Sequence, residues 1–235
     1  MLLQISDVVL VSLIGGLLAL DRTAAFQVMI SRPIVSGLIT GLILGCPVTG
    51  AIMGALTELT WINSLPLGGD MPPNESMATI ITTAAVILTW PYAGDATREY
   101  LAFGFLFGPP WARLAFIVEI HTRRINGTLA HLAVIAADKN QLRRVYYYNL
   151  AGLSLAFLTS AGYIFIGLII TIFAMTNIHP LLSVRILKAL DYLYFGLPLI
   201  GVAAALSSLN IKSNWQMFAL VYGLSLSIWG LLVSW

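Results

Sequence analysis

Apolar runs alternate with short polar stretches along this chain, and the spacing of the charged residues predicts its helices. Uncharged runs of 19 to 40 residues lie at 33–57, 76–94, 145–184, 192–211 and 213–235. A helix needs about 20 apolar residues to cross the hydrocarbon core of a bilayer. The runs lack the alternation of period two that a membrane β-barrel requires. The pattern therefore predicts a chain of apolar helices, most of them long enough to span a membrane.

Glycines, prolines and charges divide these runs into individual helices. The expected bounds are 4–20, 33–45, 48–62, 75–91, 99–119, 123–143, 146–176, 189–209 and 214–234. As one helix, 146–176 would be about 46 Å long, so it must tilt, protrude or break near Gly162 or Gly167. The stretch 123–145 is weakly amphipathic, and two interpretations stay open: a cytoplasmic interfacial helix or a short span. No basic residue precedes the segment 1–20, so we expect a retained span there and not a signal peptide.

Composition agrees with a membrane protein. Hydrophobic residues make up 59% of the 235 positions, charged residues only 9%, and the mean hydropathy is +0.90. We therefore predict an all-α, polytopic integral membrane protein that forms a single domain over residues 1–235. The net charge of +2 gives no support for nucleic-acid binding. The positive-inside rule places the densest basic group on the cytoplasmic side; it consists of Arg123, Arg124, Lys139, Arg143 and Arg144.

The most informative apolar segment is RPIVSGLITGLILGCPVTGAIMGALTEL, residues 32–59. Its glycines repeat every four residues on either side of Pro47, a spacing that lets a neighbouring helix approach closely. Pro47 removes a backbone donor and clashes with the preceding turn. The segment is therefore expected to break at Gly45-Cys46-Pro47 into two half-helices, which gives the fold its broken or re-entrant helices.

Glu58 lies four residues after Gly54, on the same helical stripe as the glycines. It is therefore expected to face protein or a polar cavity. An ionisable group in such a place suggests a binding or conduction pathway. The alternative is a structural role, in which Glu58 reaches the interface or pairs with an arginine of another helix.

A polar insert, INSLPLGGDMPPNESMATI at residues 62–80, separates two apolar segments. It carries Asn63, Asp70, Asn74 and Glu75, and Asn74 is a good N-cap for the next helix. Irregular polar backbone beside membrane spans persists where it is buried in protein or lines a wet cavity, and broken helices beside such a loop are a recurrent transporter site. These amides and carboxylates suit a polyhydroxylated ligand. The other interpretation, a solvent loop with ordinary turn residues, stays equally open on these grounds.

The remaining chemistry-bearing residues form no recognisable centre. The three histidines, His121, His131 and His179, lack the spacing of a helical metal site, and no nucleophile or phosphate-loop motif is present. We predict no catalytic residue, no metal and no cofactor.

Three stretches give the chain a family resemblance. They read LDRTAAFQVMISRPIVSGLITGLILGCPVTGAIMGALTELTWI, LGGDMPPNESMATIITTAAVIL and AADKNQLRRVYYYNL. In this order they resemble the IIC subunits of the mannose/fructose/sorbose family of the bacterial phosphoenolpyruvate-dependent sugar phosphotransferase system.

The resemblance implies a multi-pass sugar-translocating subunit in the bacterial cytoplasmic (inner) membrane. It implies a IID membrane partner, cytoplasmic IIA and IIB phosphocarriers that hold the phosphohistidines, an oligomeric assembly, and a hexose or hexosamine substrate. By motif, it carries over Gln27, Glu58, Asn63 and Asn74 as sugar-binding groups. Together with the carboxylates of the insert, the expected substrate-binding set is Gln27, Glu58, Asn63, Asp70, Asn74 and Glu75.

Asn74 departs from the family pattern, which usually has aspartate directly after the second proline. This departure keeps one alternative function open, a non-transporting sensory or interaction subunit derived from such a permease. Glu58 keeps another open, a secondary transporter coupled to protons.

Overall fold

The computed structural model describes residues 5–25, 27–62, 72–90 and 96–208, together with Gly223. Regular structure within these ranges is entirely helical, which confirms the predicted all-α class. The α-helices are α1 Ile5–Thr23, α2 Pro33–Ile43, α3 Pro47–Trp61, α4 Glu75–Thr89, α5 Arg98–Phe105, α6 Gly108–Asp138, α7 Leu142–Ile178 and α8 Val184–Ser208. Three stretches in the described part are long and apolar enough to cross a membrane: Arg98–Asp138, Leu142–Leu181 and Val184–Ala204. The predicted helix 214–234 lies outside the described residues.

The predicted break at Pro47 is confirmed, and it turns α2 and α3 into a tight helical hairpin. Gly45 makes the turn with φ of +75°, a conformation that costs a glycine little. A Cβ placed on Gly41 would lie 2.8 Å from the Cα of Gly50, and one on Gly37 would lie 2.7 Å from the Cα of Gly54. The backbones of the two helices are therefore in direct contact. At 11 and 15 residues, about 16 and 22 Å, neither helix spans a hydrocarbon core of about 30 Å.

Helix α4 forms the centre of the molecule. Every residue from Glu75 to Leu88 is buried, and α4 packs against α2, α3, α6 and α7 and also contacts α1 and α5. Burial on all sides is typical of a helix in the core of a larger protein. Its beginning at Glu75, preceded by the Asn74 cap, is the start that the sequence predicts. This central position brings the polar residues at its N-terminus into contact with several neighbouring helices.

The expected boundary between helices 99–119 and 123–143 was wrong. The chain breaks earlier, between Phe105 and Gly108, and then continues as one helix to Asp138. Pro109 and Pro110 explain the shift, since proline cannot continue a helix but fits its first turn. Residues 120–122 contain no such breaker. Of the two interpretations of 123–145, neither a separate interfacial helix nor a separate short span is present.

Helix α7 is unbroken over 37 residues, about 55 Å. Gly162 and Gly167, the expected break points, both lie inside it. It forms a long antiparallel hairpin with α6 and also packs along α1 and α4. The helix α8 begins five residues before the expected 189, because Arg185 and Lys188 continue a helix without difficulty. The hairpin of α6 and α7 forms one side of the polar region around the start of α4.

Candidate functional site

The turn between α1 and α2 is held by Asp21, which the sequence did not single out as a site residue. The carboxylate is buried and accepts the backbone N–H of Val28 at 2.7 Å and of Ser31 at 3.0 Å. Gln27, a predicted sugar-binding residue, lies in this turn with φ of +56° and an exposed side chain. A positive φ is uncommon outside glycine. The hydrogen bonds of Asp21, and not the preference of Gln27, therefore fix the conformation of the turn.

Glu58, near the end of α3, closes the open end of the α2–α3 hairpin. Its side chain forms an ion pair with Arg32 and makes a long hydrogen bond of 3.4 Å with the backbone N–H of Ile34. A carboxylate is favourable at the N-terminus of a helix such as α2 because free N–H groups point towards it. Pairing with an arginine is the structural role that the sequence left open for Glu58. A role of Glu58 in binding stays a prediction.

Asn74 makes contacts in three directions at the start of α4. Its side-chain oxygen accepts the backbone N–H of Met77 at 3.2 Å, which confirms the predicted N-cap. Its side-chain amide donates to Glu119 of α6 at 3.1 Å, and its backbone N–H donates to the carbonyl of Ala112 at 3.1 Å. The side chain is almost fully buried. Asn74 therefore joins the beginning of α4 to the middle of α6.

Four charged residues form a connected network around Asn74. Arg22 of α1 donates to Glu75 at 2.6 Å and to the carbonyl of Pro73 at 3.3 Å, and its Nε lies 3.8 Å from Glu119. Arg123 donates to the other oxygen of Glu119 at 2.6 Å. We call these residues, Arg22, Glu75, Glu119 and Arg123, the charge network. Its two positive and two negative groups balance, which is what a partly buried cluster of charges requires.

A cavity of about 710 Å³ lies beside the charge network. It is lined by the end of α1, the start of α4, the middle of α6 and the first half of α7, and it is partly open to the surface. Its polar lining includes Asn74, Glu119, Arg123, Asn126 and Asn149. A pocket of this size with a few convergent polar groups is typical of a small-molecule site.

The structure brings together only some of the predicted site residues. Asn74 and Glu75 share the charge network, whereas Glu58 pairs with Arg32, and neither Glu58 nor Gln27 lines the cavity. Asn63 and Asp70 lie outside the described residues.

Sequence reasoning missed Arg22, Glu119 and Arg123. The available signal was weak: Glu119 and Arg123 are an i, i+4 pair, a spacing that is common on ordinary exposed helices. Nothing in the sequence pointed to the longer-range contact between Arg22 and Glu75. In the part of the chain that the structure describes, no group of three or more His, Cys, Asp or Glu side chains could hold a metal ion.

The chain is similar to sugar permease subunits. It is 27% identical over 153 residues to the "PTS system mannose-specific EIIC component" of Escherichia coli K12, covering 65% of this chain and 53% of that one. It is 45% identical over 65 residues to "N-acetylgalactosamine permease IIC component 1" of the same organism, covering 28% and 23%. The match to the "PTS system sorbose-specific EIIC component" of Klebsiella pneumoniae is 27% over 152 residues, covering 64% and 52%. The chain thus spans about half the length of the mannose- and sorbose-specific relatives it matches.

Two solved structures share the fold. One, described as "Structure of membrane protein", has a TM-score of 0.70 at 21% identity and is matched over 100% of this chain and 94% of that one. The other, the "CryoEM Structure of Mannose Transporter ManYZ and Microcin E492 (MceA) complex", has a TM-score of 0.59 at the same identity and coverage. The family described as "PTS system sorbose-specific iic component" matches residues 4–231. In agreement with the resemblance read from the sequence, the chain belongs to this family of phosphotransferase-system IIC components.

Proposed function

We propose that the chain is the sugar-translocating IIC subunit of a phosphotransferase-system permease in the bacterial cytoplasmic membrane. It would move a hexose or hexosamine inward for phosphorylation. The observation that carries this proposal is the buried polar start of α4, where Asn74 and the charge network meet a cavity in a chain of the IIC family. Ionisable groups inside a membrane protein are costly to bury, so their presence at such a place suggests a role in binding or conduction.

A sugar fits this chemistry better than a charged solute. The charge network is already balanced, so an ion would add an uncompensated charge. A neutral sugar instead needs many donors and acceptors, which amides and carboxylates supply. We propose that the sugar contacts the predicted set of residues: Gln27, Glu58, Asn63, Asp70, Asn74 and Glu75.

Translocation would use the α2–α3 hairpin as a rigid body. The glycines that bring Gly41 against Gly50 and Gly37 against Gly54 leave no space for the two helices to slide or bend independently. A hairpin too short to span the hydrocarbon core can shift relative to the longer helices α6 and α7, and so open the site to one side of the membrane and then to the other. Phosphorylation of the sugar then removes it from the equilibrium.

The partners follow from the family. We propose that a IID membrane subunit completes the translocation path and that cytoplasmic IIA and IIB carry the phosphoryl group. The phosphohistidines would belong to those cytoplasmic proteins, so this chain would bind and move the sugar without phosphorylating it. An oligomeric assembly is part of the same proposal.

The test is phosphoenolpyruvate-dependent uptake of radiolabelled hexoses and hexosamines in cells that lack their own permeases. The chain is co-expressed with its neighbouring subunits as wild type, Glu58→Gln, Asn74→Ala and Asn74→Asp. Asn177→Ala serves as the control, because Asn177 is exposed and, among the described residues, donates to its own helix at Phe173.

We expect sugar-specific uptake by wild type and by the control, and its loss in Glu58→Gln and Asn74→Ala. Absence of wild-type uptake, restored by Asn74→Asp, would instead mean a permease whose transport has been disabled, and a sensory role would replace the proposal. Uptake that needs a proton gradient and no phosphoenolpyruvate would also overturn it.

A further inference from the structure

The cavity next to the charge network extends well beyond the predicted sugar-binding residues. From Asn74 it continues between α6 and α7 towards Ala133 and Tyr146, near the turn that joins these two helices. The nearby basic residues, including Arg123 and Arg143, place this end on the cytoplasmic side by the positive-inside rule. A sugar that passes Asn74 on its way inward would therefore enter this part of the cavity.

Asn126 of α6 offers an unused hydrogen-bond acceptor here. Its side-chain oxygen is buried and accepts no hydrogen bond from any of the described residues, although the residue lines the cavity. A buried acceptor without a donor is unfavourable. A hydroxyl group of a bound sugar would supply the missing donor once the Asn126 side chain turns towards the cavity that it lines.

Gly152 of α7 packs against the side-chain oxygen of Asn126. A Cβ placed on Gly152 would lie 3.3 Å from that oxygen, so even alanine would be tight, and a larger side chain would displace the Asn126 side chain. Gly152 also lines the cavity. The contrast with Gly162 on the same helix, where an added Cβ meets nothing within 4 Å, shows that the glycine at 152 stands at a confined position.

Glu119 supplies a second acceptor. Its oxygens accept hydrogen bonds from Arg123 and from Asn74, and the residue lines the cavity. Arg123 donates two of these hydrogen bonds and Asn74 one. A carboxylate offers about four acceptor positions, so one position for a ligand hydroxyl remains. Through Asn74, Glu119 connects this part of the cavity directly to the start of α4.

We propose that Glu119 and Asn126 form a cytoplasmic-side sugar subsite, in which both side chains accept hydrogen bonds from sugar hydroxyls beside Gly152. This inference rests on the proposed function and adds two contact residues to it. The bound form would be the neutral sugar and not its phosphate, because Arg22 and Arg123 are already paired with carboxylates.

The test uses the full chain with its membrane partner, in nanodiscs for equilibrium binding and in cells for uptake, with a sugar that wild type transports. Asn126→Leu removes the acceptor at similar volume, whereas Asn126→Asp keeps an acceptor. Gly152→Val fills the space beside Asn126, and Gly162→Val is its matched control on the same helix. Size-exclusion profiles identify any variant that fails to fold.

We expect Asn126→Leu and Gly152→Val each to raise the Kd for binding and the KM for uptake about tenfold, the loss of one well-formed hydrogen bond. Gly162→Val should stay within about twofold of wild type, and Asn126→Asp, which keeps an acceptor, should lose less affinity than Asn126→Leu. The maximal rate should change less than KM in every folded variant, since a residue with a purely structural role would lower the amount of active protein instead.

Two results would overturn the subsite while leaving the proposed function intact. The first is uptake by wild type together with an unchanged KM in folded Asn126→Leu and Gly152→Val. The second is an equal loss of sugar affinity in Gly152→Val and Gly162→Val. Tighter binding of a sugar phosphate than of the sugar would overturn the assignment of the ligand. Absence of any sugar uptake or binding by wild type would instead refute the proposed function itself.

Discussion

Asn74 donates its side-chain amide to Glu119 at 3.1 Å, and this one contact joins the N-terminus of the buried helix α4 to the middle of α6. The direction of the bond matters. An amide can donate to a carboxylate, whereas a second carboxylate at the same position could only repel it. Glu119 therefore favours asparagine over aspartate at position 74 in this chain.

We expect Asn74→Asp to lower the stability of the protein by about 1–3 kcal/mol. Aspartate is as good an N-cap as asparagine, so the hydrogen bond with the backbone of Met77 is kept. The loss of stability therefore measures the repulsion between the new carboxylate and Glu119. The measurement is the thermal unfolding midpoint in one fixed detergent.

The matched control for this change is the double variant Asn74→Asp/Glu119→Gln. Glutamine can donate to the new aspartate, so the hydrogen bond is restored with reversed polarity and the midpoint should recover in part. A double variant that adds the two losses would contradict the assigned contact.

Filling the interface of the α2–α3 hairpin should destabilise it. In Gly50→Ala the new Cβ would lie 2.5 Å from the carbonyl oxygen of Gly37 and 2.7 Å from the Cα of Gly41. Both are backbone atoms that cannot rotate away, so we expect a loss of about 1–3 kcal/mol, typical of overpacking.

Gly162→Ala is the control for this prediction, because its Cβ meets open space and alanine is preferred over glycine within a helix by roughly 0.5–1 kcal/mol. The two unfolding midpoints should therefore move in opposite directions. A higher unfolding midpoint for Gly50→Ala would contradict the close backbone contact between α2 and α3.

Removing the carboxylate of Asp21 should release the turn that carries Gln27. Asp21→Ala leaves the N–H groups of Val28 and Ser31 without their acceptors, and we expect their hydrogen exchange to speed up by about tenfold or more. Mass spectrometry of peptides covering 24–32 measures this. Asp21→Asn, which keeps one acceptor oxygen, should give an intermediate rate. Unchanged exchange in Asp21→Ala would rule out this role for the residue.

The pairing of Arg32 with Glu58 can be separated from a binding role of Glu58. Arg32 is 39% exposed at its side chain, so the coupling energy in a cycle of Arg32→Gln and Glu58→Gln should be only about 0.5–1 kcal/mol. If Glu58 contacts sugar, Glu58→Gln should raise the KM for uptake while Arg32→Gln leaves it within about twofold. Equal effects of both changes on KM would reduce Glu58 to a structural partner of Arg32.

Local features of the fold followed from the sequence, and distant contacts did not. Pro47 was sufficient to predict the break between α2 and α3, and Asn74 was sufficient to predict the start of α4, because each acts on its own neighbours in the chain. The packing of α2 against α3 was not predicted. The break near Pro109 was predicted too late in the chain, at the charged residues around Glu119, although charged residues continue a helix readily.

The charge network was not predicted because its residues are far apart in the sequence. Arg22 and Glu75 are separated by 53 positions, and Asn74 and Glu119 by 45. The residues of such a pair come into contact only when α1, α4 and α6 pack together, and no local sequence pattern predicts that packing. Two of the predicted site residues rest on local patterns: Asn74 caps α4, and Glu58 lies on the helical stripe of the glycines.

The balance of the charge network has a consequence for how the protein responds to the membrane voltage. Moving one unit of charge across a potential of 100 mV involves about 2.3 kcal/mol. The two arginines and two glutamates that surround Asn74 carry no net charge, so a conformational change that displaces them together does almost no electrical work. With a neutral sugar as cargo, the resting potential would neither drive the inward step nor oppose the return.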